Sequence, residues 1–175
     1  MVRRSLLSLL ALFCLHLAEP QVFSEESLND FPVETFSFND AEPLTVSCVS
    51  ENLSIVPGTP FHVAIVLNHQ EGWHSYWKNP GEIGIPTNVE WQLPEGFTVS
   101  ELKWPVPASF KEGDITGFGY LGEALLLAEV TPPATLTADS YTIKATVSWL
   151  ACSKDACLPG SREIEVGLLK ADGKT

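Results

Sequence analysis

Cys152 and Cys157 are the residues of this chain best suited to chemistry. They stand in the run Val147-Ser148-Trp149-Leu150-Ala151-Cys152-Ser153-Lys154-Asp155-Ala156-Cys157-Leu158-Pro159-Gly160. An alternating stretch runs into the first cysteine, small and polar residues follow, and a Pro-Gly pair closes the segment. Two cysteines at such a bend can bring their Cα atoms to the roughly 5.5 Å that a disulfide spans. Three uses remain open on spacing alone: an exchangeable disulfide, a structural brace and a metal site. In the chain-entropy picture a closed loop of about six residues stabilises by only ~2 kcal/mol, against nearly ~5 for a loop of about 100. A bond that stabilises so little suits being made and broken. Lys154 favours a thiolate beside it, and Asp155 opposes one. A zinc site wants further Cys or His ligands, and His62, His69 and His74 lack ligand spacing.

The compartment decides whether disulfide chemistry is available. Arg3 and Arg4 precede the apolar run from Leu6 to Leu17, which is short for a membrane span and right for a secretory leader. Residues 1–24 are therefore read as a signal peptide, cleaved after Ser24 or after Ala18. Losing Arg3, Arg4 and Glu19 makes the formal net charge of −12 one unit more negative. Such a surface repels nucleic acid and anionic membranes, so no nucleic-acid partner is expected. Export to an oxidising or redox-managed compartment permits disulfides. The mature chain keeps Cys48, Cys152 and Cys157, an odd set that leaves at least one thiol free or paired between chains. Cys48 lies about 100 residues before Cys152, as in the inter-sheet disulfide of immunoglobulin domains, but that pattern expects a Tyr where Leu150 stands. Cys48 continues the apolar positions Leu44 and Val46 and is read as a small core residue.

The elements that must hold the cysteines repeat every second residue. Leu44, Val46 and Cys48 alternate with Thr45 and Ser47. Phe61, Val63, Ile65 and Leu67 alternate with their neighbours, and so do Tyr141, Ile143, Ala145 and Val147, then Ile164 and Val166. This is the period of strands with one face on a core. Turns are expected at Pro57-Gly58, Asn79-Pro80-Gly81, Pro94-Glu95-Gly96, Pro105 to Pro107, Pro132-Pro133 and Pro159-Gly160. Thirteen prolines and twelve glycines leave little room for a long helix. The expectation is one all-β domain, a sandwich or barrel, over residues 44–170. An acidic, turn-rich arm covers residues 25–43, and a polar tail covers 171–175. The five tryptophans are expected to pack in or over the core rather than to form a ligand platform. Alternation puts Trp73, Ser75 and Trp77 on one face of their strand, and His74 and Tyr76 on the other.

The run Gly72-Trp73-His74-Ser75-Tyr76-Trp77-Lys78-Asn79-Pro80-Gly81-Glu82-Ile83-Gly84-Ile85-Pro86 resembles the "WHxYWxNPGxxGxP" signature of DsbD-like N-terminal domains. Trp91 to Gly96, Leu102 to Pro107, Phe110, Gly119 to Glu123 and the cysteine segment follow in the family's order, so the resemblance covers residues 45 to 168. It implies an immunoglobulin-like antiparallel β-sandwich in the periplasm, acting as a protein-disulfide reductase (thiol:disulfide interchange) without a cofactor. It implies a thioredoxin-like protein or domain as electron donor. The implied acceptors are a periplasmic disulfide isomerase or a cytochrome c maturation thioredoxin, and a membrane electron-transfer partner is a further possibility. Carried over, Cys157 forms the mixed disulfide and Cys152 resolves it. An aromatic cap over the cysteines falls on Phe110 first and Phe118 second, and the modulating residues beside the pair fall on His74 and Tyr76. This chain departs from the enterobacterial form, which has five residues between the cysteines where this one has four.

Overall fold

The computed structural model describes residues 42–171. The expected signal peptide, the arm as far as residue 41 and the tail beyond residue 171 lie outside the described residues. Among the described residues the secondary structure is all strand: β1 (Leu44–Ser50), β2 (Ser54–Ile55), β3 (Phe61–His69), β4 (His74–Gly81), β5 (Asn88–Gln92), β6 (Thr98–Val99), β7 (Ala108–Glu112), β8 (Ile115–Leu121), β9 (Glu123–Thr131), β10 (Ser140–Cys152) and β11 (Cys157–Lys170). They form two sheets, one ordered β1-β3-β9-β6 and the other β2-β11-β10-β4-β8-β7 with β5 paired to β10. Every pairing of named strands is antiparallel except the short β2–β11 contact at Leu169 and Lys170.

Alternation builds the core. Leu44, Val63, Ile65, Leu67, Leu126, Val130, Ile143 and Val147 are all fully buried. At roughly 1.5–3 kcal/mol for each large aliphatic side chain removed from water, these inward rows dominate the favourable side of folding. Cys48 is half-buried and packs against both halves of the core. All five tryptophans are partly buried against the core, as the sequence leads one to expect.

Two expected turns are strand. Pro159-Gly160 lies inside β11, because the reversal occurs earlier, between Cys152 and Cys157. Gly160 stands opposite Trp149, and its missing side chain makes room for the indole: a Cβ there would lie 2.5 Å from the ring. Asn79-Pro80-Gly81 belongs to an irregularity within β4, where the register against β8 jumps from Tyr76↔Gly119 to Gly81↔Gly117. The extra residues bulge out of the ladder, and Gly81 closes the bulge at a φ of 89° that other residues rarely adopt.

Candidate functional site

The long β10–β11 ladder runs without a register break from Ser140↔Leu169 to Cys152↔Cys157 and ends at the cysteines. Beyond them Ser153 N–H donates to the Ala156 carbonyl at 2.8 Å. The Ser153 hydroxyl oxygen accepts from the N–H groups of Asp155 and Ala156, each at 3.2 Å. A serine at this place satisfies the turn's own donors, which makes so short a reversal possible. The cysteines are therefore directly opposed across the last rung, with Cα atoms 4.0 Å apart, and they are joined as a disulfide.

The two sulfurs have unequal surroundings. Cys152 is 0% exposed, whereas Cys157 is exposed. Ala151 faces the core, so alternation turns Cys152 toward the outer face, and its burial requires an outer cover. Lys154 and Asp155, expected to act oppositely on a thiol, form an ion pair with each other at 2.6 Å. Of the two residues, Cys157 is thus the one at the surface.

On the side of Cys152 away from Cys157 lie β4, β8 and β7 in that order. His74 is the strand neighbour of Cys152 on the side away from Cys157, and Leu121 is the next across, so Leu121, His74, Cys152 and Cys157 make one row across the outer face. Phe110 lies on the His74 imidazole with ring centroids 4.2 Å apart, and 5.8 Å from the Tyr76 ring. Tyr76 Oη and His74 Nε2 are 3.3 Å apart, within hydrogen-bond reach. Phe110 can settle there because the face of β8 beneath it carries glycines. It pairs with Gly117, a Cβ at 117 would come within 2.6 Å of its ring, and one at 119 within 3.2 Å. The tight β7–β8 hairpin that carries Phe110 turns at Gly113, whose φ is 63°. Phe118, between the two glycines, points to the opposite face of this ribbon, where its ring lies against Gly81. The structure thus gathers Cys152, Cys157, His74, Tyr76 and Phe110, and places Phe118 elsewhere.

Behind the row lies a polar pair that the sequence reading passed over. Ser75 is fully buried and His69 nearly so. His69 Nε2 is 2.8 Å from Ser75 Oγ and Nδ1 is 2.6 Å from the Gly122 carbonyl. With Nδ1 protonated, the ring donates to Gly122 and accepts from the serine hydroxyl. The pair links β3 of one sheet to β4 of the other and to the β8–β9 connection between the sheets. Burial holds the imidazole pKa below its ordinary value, with the nearby His74 adding to that direction. His69 continues the inward series Phe61, Val63, Ile65, Leu67, so its burial was readable from parity. Burial also pushes the Cys48 thiol up to about 11. Among the described residues no group of His, Cys, Asp and Glu side chains is assembled to hold a metal ion, and no helix is long and apolar enough to cross a membrane.

The family model described as "Thiol:disulfide interchange protein DsbD, N-terminal" matches residues 41–168. No curated protein matches the chain. Among solved structures, the N-terminal periplasmic domain of ScsB from Proteus mirabilis is similar at 20% identity and a TM-score of 0.49, over 70% of this chain and 44% of that one. The reduced N-terminal domain of DsbD from Neisseria meningitidis is similar at 12% identity and a TM-score of 0.42, over 72% and 90%. The major pilin subunit BcpA of Bacillus cereus, in a D312A form, is similar at 15% identity and a TM-score of 0.47, over 75% and 42%. The chain thus spans less than half of the ScsB structure.

Proposed function

The chain belongs to the family of DsbD N-terminal thiol:disulfide interchange domains, and from that premise we propose that it relays electron pairs between exported redox proteins through Cys152 and Cys157. The observation that carries this reading is the uneven exposure of the pair, one residue at the surface and the other fully buried. A donor thiolate attacks Cys157 Sγ in line, the Cys152–Cys157 bond breaks, and Cys152 leaves with the electron pair and takes up a proton. The donor's second thiolate then attacks the donor's own first sulfur and releases Cys157. The domain has gained two electrons and two protons, and the donor leaves as a disulfide. Delivery reverses these steps. The Cys157 thiolate attacks an acceptor disulfide, and Cys152 resolves the mixed disulfide.

The surrounding residues have roles that follow from their places. Cys152 Sγ develops charge in a buried position, where a neighbouring imidazole is a natural proton or charge partner, so His74 modulates it and Tyr76 orients His74. Phe110, seated on His74, covers the pair when no partner is docked and moves aside when one arrives. The donor is a thioredoxin-like protein or domain, and the acceptors are disulfide isomerases or thioredoxins of cytochrome c maturation. The fold that presents the site is an immunoglobulin-like sandwich, and its compartment is the periplasm. Two sheets with long β10 and β11 strands, and the leader-like residues 1–24, support these two statements.

Equilibration with glutathione or dithiothreitol buffers tests the reading. A relay disulfide equilibrates between about −200 and −300 mV, and a brace lies well below that range. A potential far below −300 mV would leave a β-sandwich binding module with a structural disulfide as the better account.

A further inference from the structure

We propose that the redox partner docks by adding an extended, apolar segment, the one flanking its reacting cysteine, to the open edge of β11 beside Cys157. The inference rests on the relay reading and concerns where the partner's backbone lies.

Among the described residues, β11 is paired on one side along its whole length by β10, and on the other only at Leu169 and Lys170 by β2. Among the described residues the stretch from Cys157 to Arg162 is therefore unpaired on that side, and it starts at the reactive cysteine. Its hydrogen-bonding phase follows from the turn. Ser153 and Ala156 are a bonded pair, so Cys152 and Cys157 are not, and the pattern alternates from there. Leu158, Gly160 and Arg162 spend their backbone groups on β10. Cys157, Pro159 and Ser161 turn theirs outward. Pro159 has no N–H, so the edge offers donors at Cys157 and Ser161 and carbonyls at all three. A proline at this place blocks indiscriminate strand addition and still leaves a short, defined docking register.

Side chains complete the surface. On the inward side of the same edge runs a trough of about 300 Å³ lined by Pro43, Leu44, Trp149, Leu158 and Gly160, closed at its far end by the Arg162–Glu42 ion pair. Leu158, adjacent to Cys157, is 44% exposed. A strand added to β11 sends alternate side chains into this trough, which selects apolar ones. The occupant is a segment of the redox partner because any protein that bonds to Cys157 Sγ brings the backbone around its own cysteine to this edge.

The test uses the Cys152→Ala form of the full chain, whose Cys157 cannot be resolved. The probe is the peptide Cys-Leu-Val-Leu-Ser carrying nitrothiobenzoate on its sulfur. The Cys157 thiolate attacks the peptide sulfur, the peptide–nitrothiobenzoate bond breaks, and the coloured thiolate leaves. A second peptide has its backbone nitrogens after the cysteine methylated, and glutathione disulfide serves as a small control without a strand. Losing one or two edge hydrogen bonds should slow trapping about tenfold for the methylated peptide. Ser161→Pro should slow the unmethylated peptide similarly and leave the glutathione disulfide reaction unchanged. Equal rates for the two peptides, or a Ser161→Pro effect as large on glutathione disulfide, would overturn the proposal. A rate that falls with rising protein concentration would mean that a second copy occupies the edge, and would overturn it too. If Cys157 reacts with none of the probes, the relay reading itself fails, and docking fails with it.

Discussion

Displacing Phe110 without removing it should open the disulfide to small reductants. Gly117→Ala does this, because the new Cβ would stand 2.6 Å and 2.9 Å from two atoms of the Phe110 ring, and the ring must leave its seat. A phenylalanine buries about 150–250 Å² when fully enclosed. Phe110 is half-buried, so about 100 Å² is at stake. At roughly 25 cal/mol per Å² the seat is worth up to ~2.5 kcal/mol, less the rotamer entropy lost on fixing the ring. A closed form favoured by about 1.5–2.5 kcal/mol lowers the rate of attack by about 10- to 70-fold. Stopped-flow reduction of the oxidised protein by excess dithiothreitol, read by tryptophan fluorescence, measures this directly. Phe110→Ala and Gly117→Ala should each accelerate reduction about tenfold or more, and the double variant should be no faster than Phe110→Ala alone, because both act on one element. Gly119→Ala is a poor substitute, since its Cβ would lie 2.0 Å from the Ser75 carbonyl oxygen and disturb the β4–β8 ladder itself. Unchanged reduction rates, or additive accelerations, would refute the cap.

Three further outcomes follow from the buried groups. His69 has a folded-state pKa below its unfolded value near 6.5, so the unfolded chain binds the extra proton first. The stability present above pH ~6.5 is therefore lost as pH falls through the folded pKa. Urea midpoints measured from pH 7.5 downward should fall, and His69→Gln should flatten that slope. Ser75→Ala leaves the His69 ring nitrogen buried and without its partner, which should cost about 1–3 kcal/mol in equilibrium unfolding. Cys48, with its thiol at about 11, should resist iodoacetamide in the native protein at pH 8, and Cys48→Ala should leave the redox potential of the pair unchanged.

How far the structure was readable from residues depends on whether the deciding contact was local. The strands around Leu44, Phe61, Tyr141 and Ile164 announced themselves through period-two alternation, because sheet burial acts on each residue in place. Pro159-Gly160 misled for the opposite reason. What holds Gly160 in a strand is the indole of Trp149 lying over it, a cross-strand partner that no local window contains. The bulge at Asn79-Pro80-Gly81 likewise depends on how β4 registers against β8. The cap shows a middle case. Phe110 and Phe118 are equivalent by composition, but Gly117 and Gly119 flank Phe118 and face away from it. Two glycines on one face of a strand leave a slot for an aromatic ring from the neighbouring strand, and that pattern was present in the sequence. The uneven exposure of Cys152 and Cys157 was not, because Cys152 lies inside the sheet beside His74, which carries the Phe110 ring, while Cys157 lies on the outer strand.

The most direct measurement compares Cys152→Ala with Cys157→Ala in forming a mixed disulfide with an oxidised thioredoxin-like protein, resolved by mass spectrometry over time. The account predicts rapid accumulation of an adduct through Cys157 in the first variant and very slow reaction of the buried Cys152 in the second. Equal rates in the two, or an adduct only through Cys152, would contradict it.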